Sequence, residues 1–213
     1  MTKKSYPILL FLTILIGWGS YRYFFLPAEW VSEFITKPII WLVPTLLFVI
    51  VLEKTTITSL GLTTKHFMRN CFIGVLFGLL LSLELVLTKT FKYGSAVFNP
   101  DNLSIISISS ILLMSIATAF IEETTFRGYI MSRLWQAYNS ELVAILVSTI
   151  LFVIIHLPLI IFILHYSFYE TFTYCLVIFI SGFADGFVFA RTKTLAAPIL
   201  SHALWNFAAT IFR

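Results

Sequence analysis

Long apolar runs divided by short basic loops constrain this chain more than any other feature of its sequence. A bilayer core is about 30 Å thick and a helix rises about 1.5 Å per residue, so each crossing takes roughly 20 residues. The pattern predicts an all-α fold: a polytopic transmembrane helical bundle of about seven to eight spans with an intramembrane polar site. Hydrophobic residues make up 59% of the chain and charged ones 11%, which leaves no room for a soluble domain, and 1–213 reads as a single membrane domain. A net charge of +4 would point to nucleic acid in a soluble protein. Here Lys and Arg fall in the loops, where they orient the spans, so the partner is the lipid bilayer and not nucleic acid.

Tyr6 to Leu26 forms the first span, closed by Pro27, with an aromatic belt of Tyr21, Tyr23, Phe24 and Phe25. Lys3 and Lys4 precede it, but no A-x-A-like site follows, so the span is expected to be retained. A short loop, Pro27 to Lys37, leads to the second span, Ile39 to Leu52. The next loop carries Lys54, Lys65, His66 and Arg69 around Leu60-Gly61-Leu62. Asn70 to Leu87 is the third span, with Gly74 and Gly78 four residues apart, a spacing that lets helices approach closely. Glu84 in this span, near Lys89 and Lys92, reads as an interfacial carboxylate, and a connector containing Gly94, Pro100, Asp101 and Asn102 runs to Leu103.

From Ser104 the apolar pattern continues without a breaker past Glu122 and Glu123 to Gly128 and on toward Trp135, a helix of about 30 residues. Glu141 to Leu164 follows, kinked by Pro158 just after His156, and Leu157 to Tyr169 is apolar enough for a half-span and an eighth crossing. Phe172 to Ala190 carries Gly182, Gly186 and Ala190 for tight packing, with Asp185 read as an interfacial ion-pair partner of Arg191 or Lys193. Thr194 to Phe212 is the last crossing. Alternation from a cytoplasmic N-terminus puts Lys54/Lys65/Arg69, Arg127/Arg133 and Arg191/Lys193 on one side, in accord with the positive-inside rule, and Arg213 on the other. Cys71 and Cys175 lack metal-type spacing and read as two buried thiols.

Two adjacent carboxylates inside an apolar helix demand partners, because one charge near the bilayer centre costs about 2.5 to 3.5 kcal/mol by insertion scales. Glu123 and Arg127 lie four apart on one helical face, while Glu122 points about 100° away. Glu123 is therefore expected to pair with Arg127 and Glu122 to be free as a general base. His156 follows an apolar run, with Phe152 on the same face. His202 and Asn206 share a face one turn apart, about 13 Å from Lys193 and so near the midplane. Glutamate, two histidines and an asparagine on apolar helices can activate water and hold an oxyanion, which points to hydrolysis. Glu122, His156 and His202 would be the ligands if Zn²⁺ is used, although the chain has no HExxH. His66 and His165 read as loop residues.

The segments Glu122-Glu123-Thr124-Thr125-Phe126-Arg127-Gly128, Phe152 to His156 and His202 to Asn206 resemble the motifs EExxxR, FxxxH and HxxxN of the CPBP intramembrane protease family. That family includes type II CAAX prenyl endopeptidases and bacterial proteins linked to bacteriocin processing and self-immunity. The resemblance implies that Glu122 and His156 activate water, that His202 and Asn206 stabilise the oxyanion, and that Glu123 and Arg127 support them. It further implies 104–213 as the catalytic core spans, 1–103 as variable N-terminal spans, and a bacterial cell membrane as the location. The expected function is an intramembrane endopeptidase acting on a membrane-associated peptide or protein, metal-dependent or of glutamate type. The alternative is a non-catalytic immunity or scaffold protein against bacteriocins. Oligomeric state and scissile bond stay open at this level.

Overall fold

The computed structural model describes residues 5–26, 28–95, 97–98 and 104–212, without the side chains of residues 92 and 93. The expectations for Lys3, Lys4, Pro27, the Lys92 side chain, Pro100, Asp101, Asn102, Leu103 and Arg213 lie outside the described residues. Among the described residues seven long helices follow one another: α1 (Tyr6–Phe24), α2 (Glu29–Leu52), α3 (Phe67–Tyr93), α4 (Ile105–Tyr138), α5 (Glu141–Leu164), α6 (Phe168–Thr192) and α7 (Ala196–Ile211). The first six are long and apolar enough to cross a membrane. With 16 residues, α7 spans about 24 Å. Leu157–Leu164 continues α5 and forms no crossing of its own among the described residues.

The second and third crossings are longer than the sequence expectation. The second crossing begins at Glu29, not Ile39, so Glu33 and Lys37 belong to the helix and are buried in it. Pro38 suggests a boundary because a residue preceding proline usually avoids the α region. Lys37 nevertheless keeps helical angles, φ −62° and ψ −45°, and wide π-type turns, Ser32–Thr36 and Pro38–Leu42, flank it. In the third crossing the helix runs beyond Asn70 and Leu87 at both ends.

The long α4 forms as expected, but its winding changes immediately after the glutamate pair: Ile105–Glu123 is α-helical and Thr124–Met131 is π-wound. Such wide turns inside helices occur frequently at functional sites. Ser104 caps its first turn, accepting from the Ser107 amide. In α5 the regular helix stops at Ile154, and the His156 amide bonds back to the Val153 carbonyl over 3.1 Å. Pro158, with no amide hydrogen to donate, explains why the break falls there.

The bundle is apolar outward and polar inward, as a lipid environment requires. Leu76, Leu80 and Leu83 of α3 are exposed, whereas Glu122, Glu123, Arg127, Asp185 and His202 are buried. Glycine fixes the position of α7. A Cβ on Gly74 would stand 2.4 Å from the Ala197 carbonyl oxygen, and one on Gly78 would stand 2.8 Å from the Leu204 side chain. Gly182 lies similarly against Phe152 and Arg127, drawing α6 onto α5 and α4.

At one end of the bundle the loops are stitched together. Arg133 pairs with Glu53 over 2.7 Å, Arg191 pairs with Glu141, the Leu195 amide donates to the Gly61 carbonyl, and Asn70 donates to Thr194. Gly61 adopts φ +84° in this turn. Glu84 accepts from Thr88, and Lys89 donates to the Ala209 and Phe212 carbonyls at the end of α7. Cys71 and Cys175 are unpaired and only partly buried, not fully so as expected. His66 and His165 sit at helix ends with positive φ.

The Gly74 contact predicts that Gly74→Ala destabilises the protein by about 1–3 kcal/mol, the usual cost of overpacking. Gly19→Ala, whose Cβ would meet only Pro158 at 3.7 Å, should change stability by less than about 0.5 kcal/mol. Unfolding of both variants in detergent checks the contrast.

Candidate functional site

The two glutamates leave α4 in different directions and enter different networks. Glu122 turns toward α2, where its Oε1 accepts from the Lys37 ammonium over 2.8 Å. Lys37 also donates to Glu33 Oε2 over 2.6 Å, and Thr118, one turn before Glu122, donates to the same oxygen over 2.6 Å. Glu123 turns toward α7 and accepts from His202 Nδ1 at 2.8 Å, while Arg127 NH1 lies 3.2 Å from the same carboxylate oxygen. The expected Glu123–Arg127 pair is present; the expectation that Glu122 stands free is corrected by Lys37.

Arg127 is 1% exposed and belongs to no loop. Its NH2 donates to the Gly182 carbonyl over 2.9 Å, and its guanidinium lies 4.5 Å from the Phe152 ring centre. Asp185 is also corrected. It is buried, 1% exposed, and one of its oxygens comes within 4.8 Å of ligand atoms of both Glu123 and His202. Arg191, its expected partner, pairs with Glu141 instead. Sequence proximity to Arg191 and Lys193 concealed this; the usable signal was Gly182, one turn earlier on the same side of α6.

Both histidines have one nitrogen committed. His156 Nδ1 lies 2.7 Å from the Phe152 carbonyl, which can only accept, so Nδ1 carries the hydrogen and Nε2 is left available. His202 Nδ1 donates in the same way to Glu123, and its Nε2 stands 3.8 Å from Glu122 Oε2. His202 therefore links the two networks.

Glu122, His156, His202 and Asn206 all line one cavity of about 290 Å³, near the lower end of the range for ligand pockets. Its exposed rim includes Glu29 and Thr210, away from the stitched loops. Trp41, Phe126 and Phe152 pack as a buried aromatic layer, with ring centres 5.7 and 5.0 Å apart along the series. Phe152 also abuts His156 at 4.8 Å and His202 at 5.9 Å.

Residues 104–208 match the family model Rce1-like, described as type II CAAX prenyl endopeptidase Rce1-like. The match supports a CPBP-family intramembrane protease. Comparisons with curated proteins and with solved structures gave no match. The family is one of proteases that act on peptide or membrane-protein substrates within a lipid bilayer, and the match includes Glu122, Glu123, Arg127, His156, His202 and Asn206 while excluding Glu33 and Lys37.

Two groups of side chains offer the donor types that a metal ion takes. Glu123, Asp185 and His202 lie close together, but His202 Nδ1 is spent on Glu123 and the Arg127 guanidinium already supplies a cation, so this group fits an ion-pair cluster. Glu122, His156 and His202 have the donor chemistry for zinc, with both imidazoles fixed through Nδ1 by a carbonyl or carboxylate, but their ligand atoms do not all lie within 4.8 Å of one another as those of Glu123, Asp185 and His202 do.

Breaking a buried pair by removing one partner costs about 3–5 kcal/mol. Arg127→Met should destabilise the protein by about that amount, and Arg127→Lys should recover only part, since a single ammonium cannot reproduce the forked contact to Glu123 and Gly182. Denaturation midpoints in detergent check both variants.

Proposed function

We propose that this protein is an intramembrane endopeptidase that hydrolyses a peptide bond of a membrane-associated substrate of CAAX or bacteriocin-precursor type, with Glu122 as general base. The observation that carries this reading is the convergence of Glu122, His156, His202 and Asn206, from α4, α5 and α7, on one cavity. The family supports it at the level of reaction type.

In this reading a water in the cavity hydrogen-bonds to Glu122 Oε2 and His156 Nε2. Glu122 takes a proton from it as the oxygen bonds to the scissile carbonyl carbon. The oxyanion that forms is met by the Asn206 amide and by His202. Donation from His202 Nε2, with Nδ1 already donating to Glu123, requires the imidazolium form, which donates from both nitrogens. Glu123 accepts from His202 Nδ1 and Glu122 Oε2 stands 3.8 Å from Nε2, so carboxylates on both sides of the ring stabilise the imidazolium. The proton then passes from Glu122 to the departing amine nitrogen as the C–N bond breaks.

If zinc is resident, Glu122, His156 and His202 are the residues that would hold it, and it would supply a Lewis acid that makes bound water nucleophilic near neutral pH. Glu123 and Arg127 keep their supporting role in either case.

The positive-inside bias supports a cytoplasmic N-terminus in a bacterial cell membrane. The stitched, basic end then faces the cytoplasm and the cavity rim faces the opposite side. This favours the bacteriocin-precursor type of substrate over a prenylated CAAX protein at the cytoplasmic surface, and a CAAX-type peptide serves as a probe of the chemistry in detergent.

Glu122→Gln should abolish cleavage of an internally quenched CAAX-type peptide while leaving the unfolding midpoint of the purified protein close to wild type; retained cleavage would remove Glu122 from its role. A Glu122→Gln variant that still protects cells from a bacteriocin would favour the non-catalytic immunity reading. Wild-type turnover after chelation, with metal content measured in parallel, decides between the glutamate and zinc forms. In a Cys71→Ser/Cys175→Ser background of intact cells, a membrane-impermeant maleimide should label Glu29→Cys and not Lys65→Cys; the reverse pattern would overturn the orientation.

A further inference from the structure

The family-matched segment starts at residue 104, yet the nearest charged partner of Glu122 comes from α2. We infer that Lys37, steadied by Glu33, is a positioning residue for Glu122: it binds Oε1 and leaves Oε2 as the oxygen that faces the reacting water. This inference rests on the base role proposed above.

The geometry forms a closed ring between α2 and α4. Lys37 Nζ donates to Glu122 Oε1 and Glu33 Oε2, and Thr118 of α4 donates to Glu33 Oε2. The Lys37 residue is 4% exposed and Glu33 7%. The rings of Trp18 and Trp41 lie 5.6 and 5.5 Å from the ammonium and shield it from water. Lys37, Glu33, Trp18 and Trp41 all line the same cavity as Glu122. The Glu122 oxygen that approaches His202 is Oε2, at 3.8 Å, so the atom that Lys37 holds and the atom on the histidine side are distinct.

A lone ammonium on Glu122 would weaken the base it holds. Glu33 offsets this in part, because one ammonium is shared between two carboxylates and the ring keeps a net charge of −1. When Glu122 accepts a proton, the Lys37–Glu33 pair remains neutral and fully bonded, so no buried charge is stranded at that step. Lys37 thus orients the base, and Glu33 takes up part of its charge. An arginine could approximate the double contact, whereas methionine keeps the bulk and loses both bonds.

The test uses the purified full-length protein in detergent with a farnesylated, internally quenched CAAX peptide as probe. Lys37→Met should lower kcat on the order of 10- to 100-fold, the range for partners that orient an active-site ligand, with KM little changed. Lys37→Arg should restore part of kcat, and Glu33→Gln should lower kcat less than Lys37→Met does. Unfolding midpoints give a readout without substrate: Lys37→Met and Glu122→Gln should be non-additive when combined, as side chains in direct contact are. Wild-type kcat in Lys37→Met, or additive midpoints, would overturn the inference. Absent turnover by the wild-type protein would count against the proposed function instead, and the unfolding cycle would still decide whether Lys37 holds Glu122.

Discussion

Ionised groups in hydrocarbon must be neutralised by groups that reach them across helices, and the architecture of this bundle follows from that requirement. Two adjacent glutamates in the middle of α4 cannot share one partner, because consecutive helical residues point about 100° apart. Glu122 is met by α2 through Lys37, and Glu123 by α7 through His202 and by its own helix through Arg127. Each pairing fixes a neighbouring helix. Arg127 in turn takes the Gly182 carbonyl of α6, so four helices converge on five charged or imidazole groups.

Close approach makes these bonds reachable. The α7 backbone can bring His202 to Glu123 because α3 presents Gly74 and Gly78 behind it, and α6 reaches Arg127 because Gly182 has no side chain there. Packing and electrostatics are thus coupled: a methyl group on the outer helix of a pair would move the donor on the inner one. The π-wound turn after Glu123 belongs to the same arrangement, since it turns Phe126 and Arg127 toward the Phe152 ring while Glu123 keeps its contact with Arg127.

Most of the framework is legible in local patterns. Apolar run length gives the crossings, the four-residue spacing of Glu123 and Arg127 gives their pair, Pro158 gives a break beside His156, which falls at Ile155–His156, and Gly74/Gly78 give the tight α3–α7 contact. Lys37 and Asp185 were missed for one physical reason. Asp185 has two basic residues nearby in sequence and Lys37 closes what reads as a short loop, whereas the groups they meet across the bundle, Glu123 with His202 and Glu122, are distant along the chain. The Glu33/Lys37 pair at four-residue spacing was the available signal for extending α2. No spacing rule encodes which carboxylate a buried ammonium will reach from another helix.

The aromatic layer of Trp41, Phe126 and Phe152 has a consequence for the cell as well as for the site. A protein that brings water and exchangeable protons to the depth of Glu122 hollows out part of the insulation between two compartments held at different potentials. Closed rings beneath the cavity and interlocked loops beyond them make the hollow a blind well instead of a pore. In the proposed protease, substrate and solvent would meet the glutamate from one side, and the ion gradient across the membrane would stay intact.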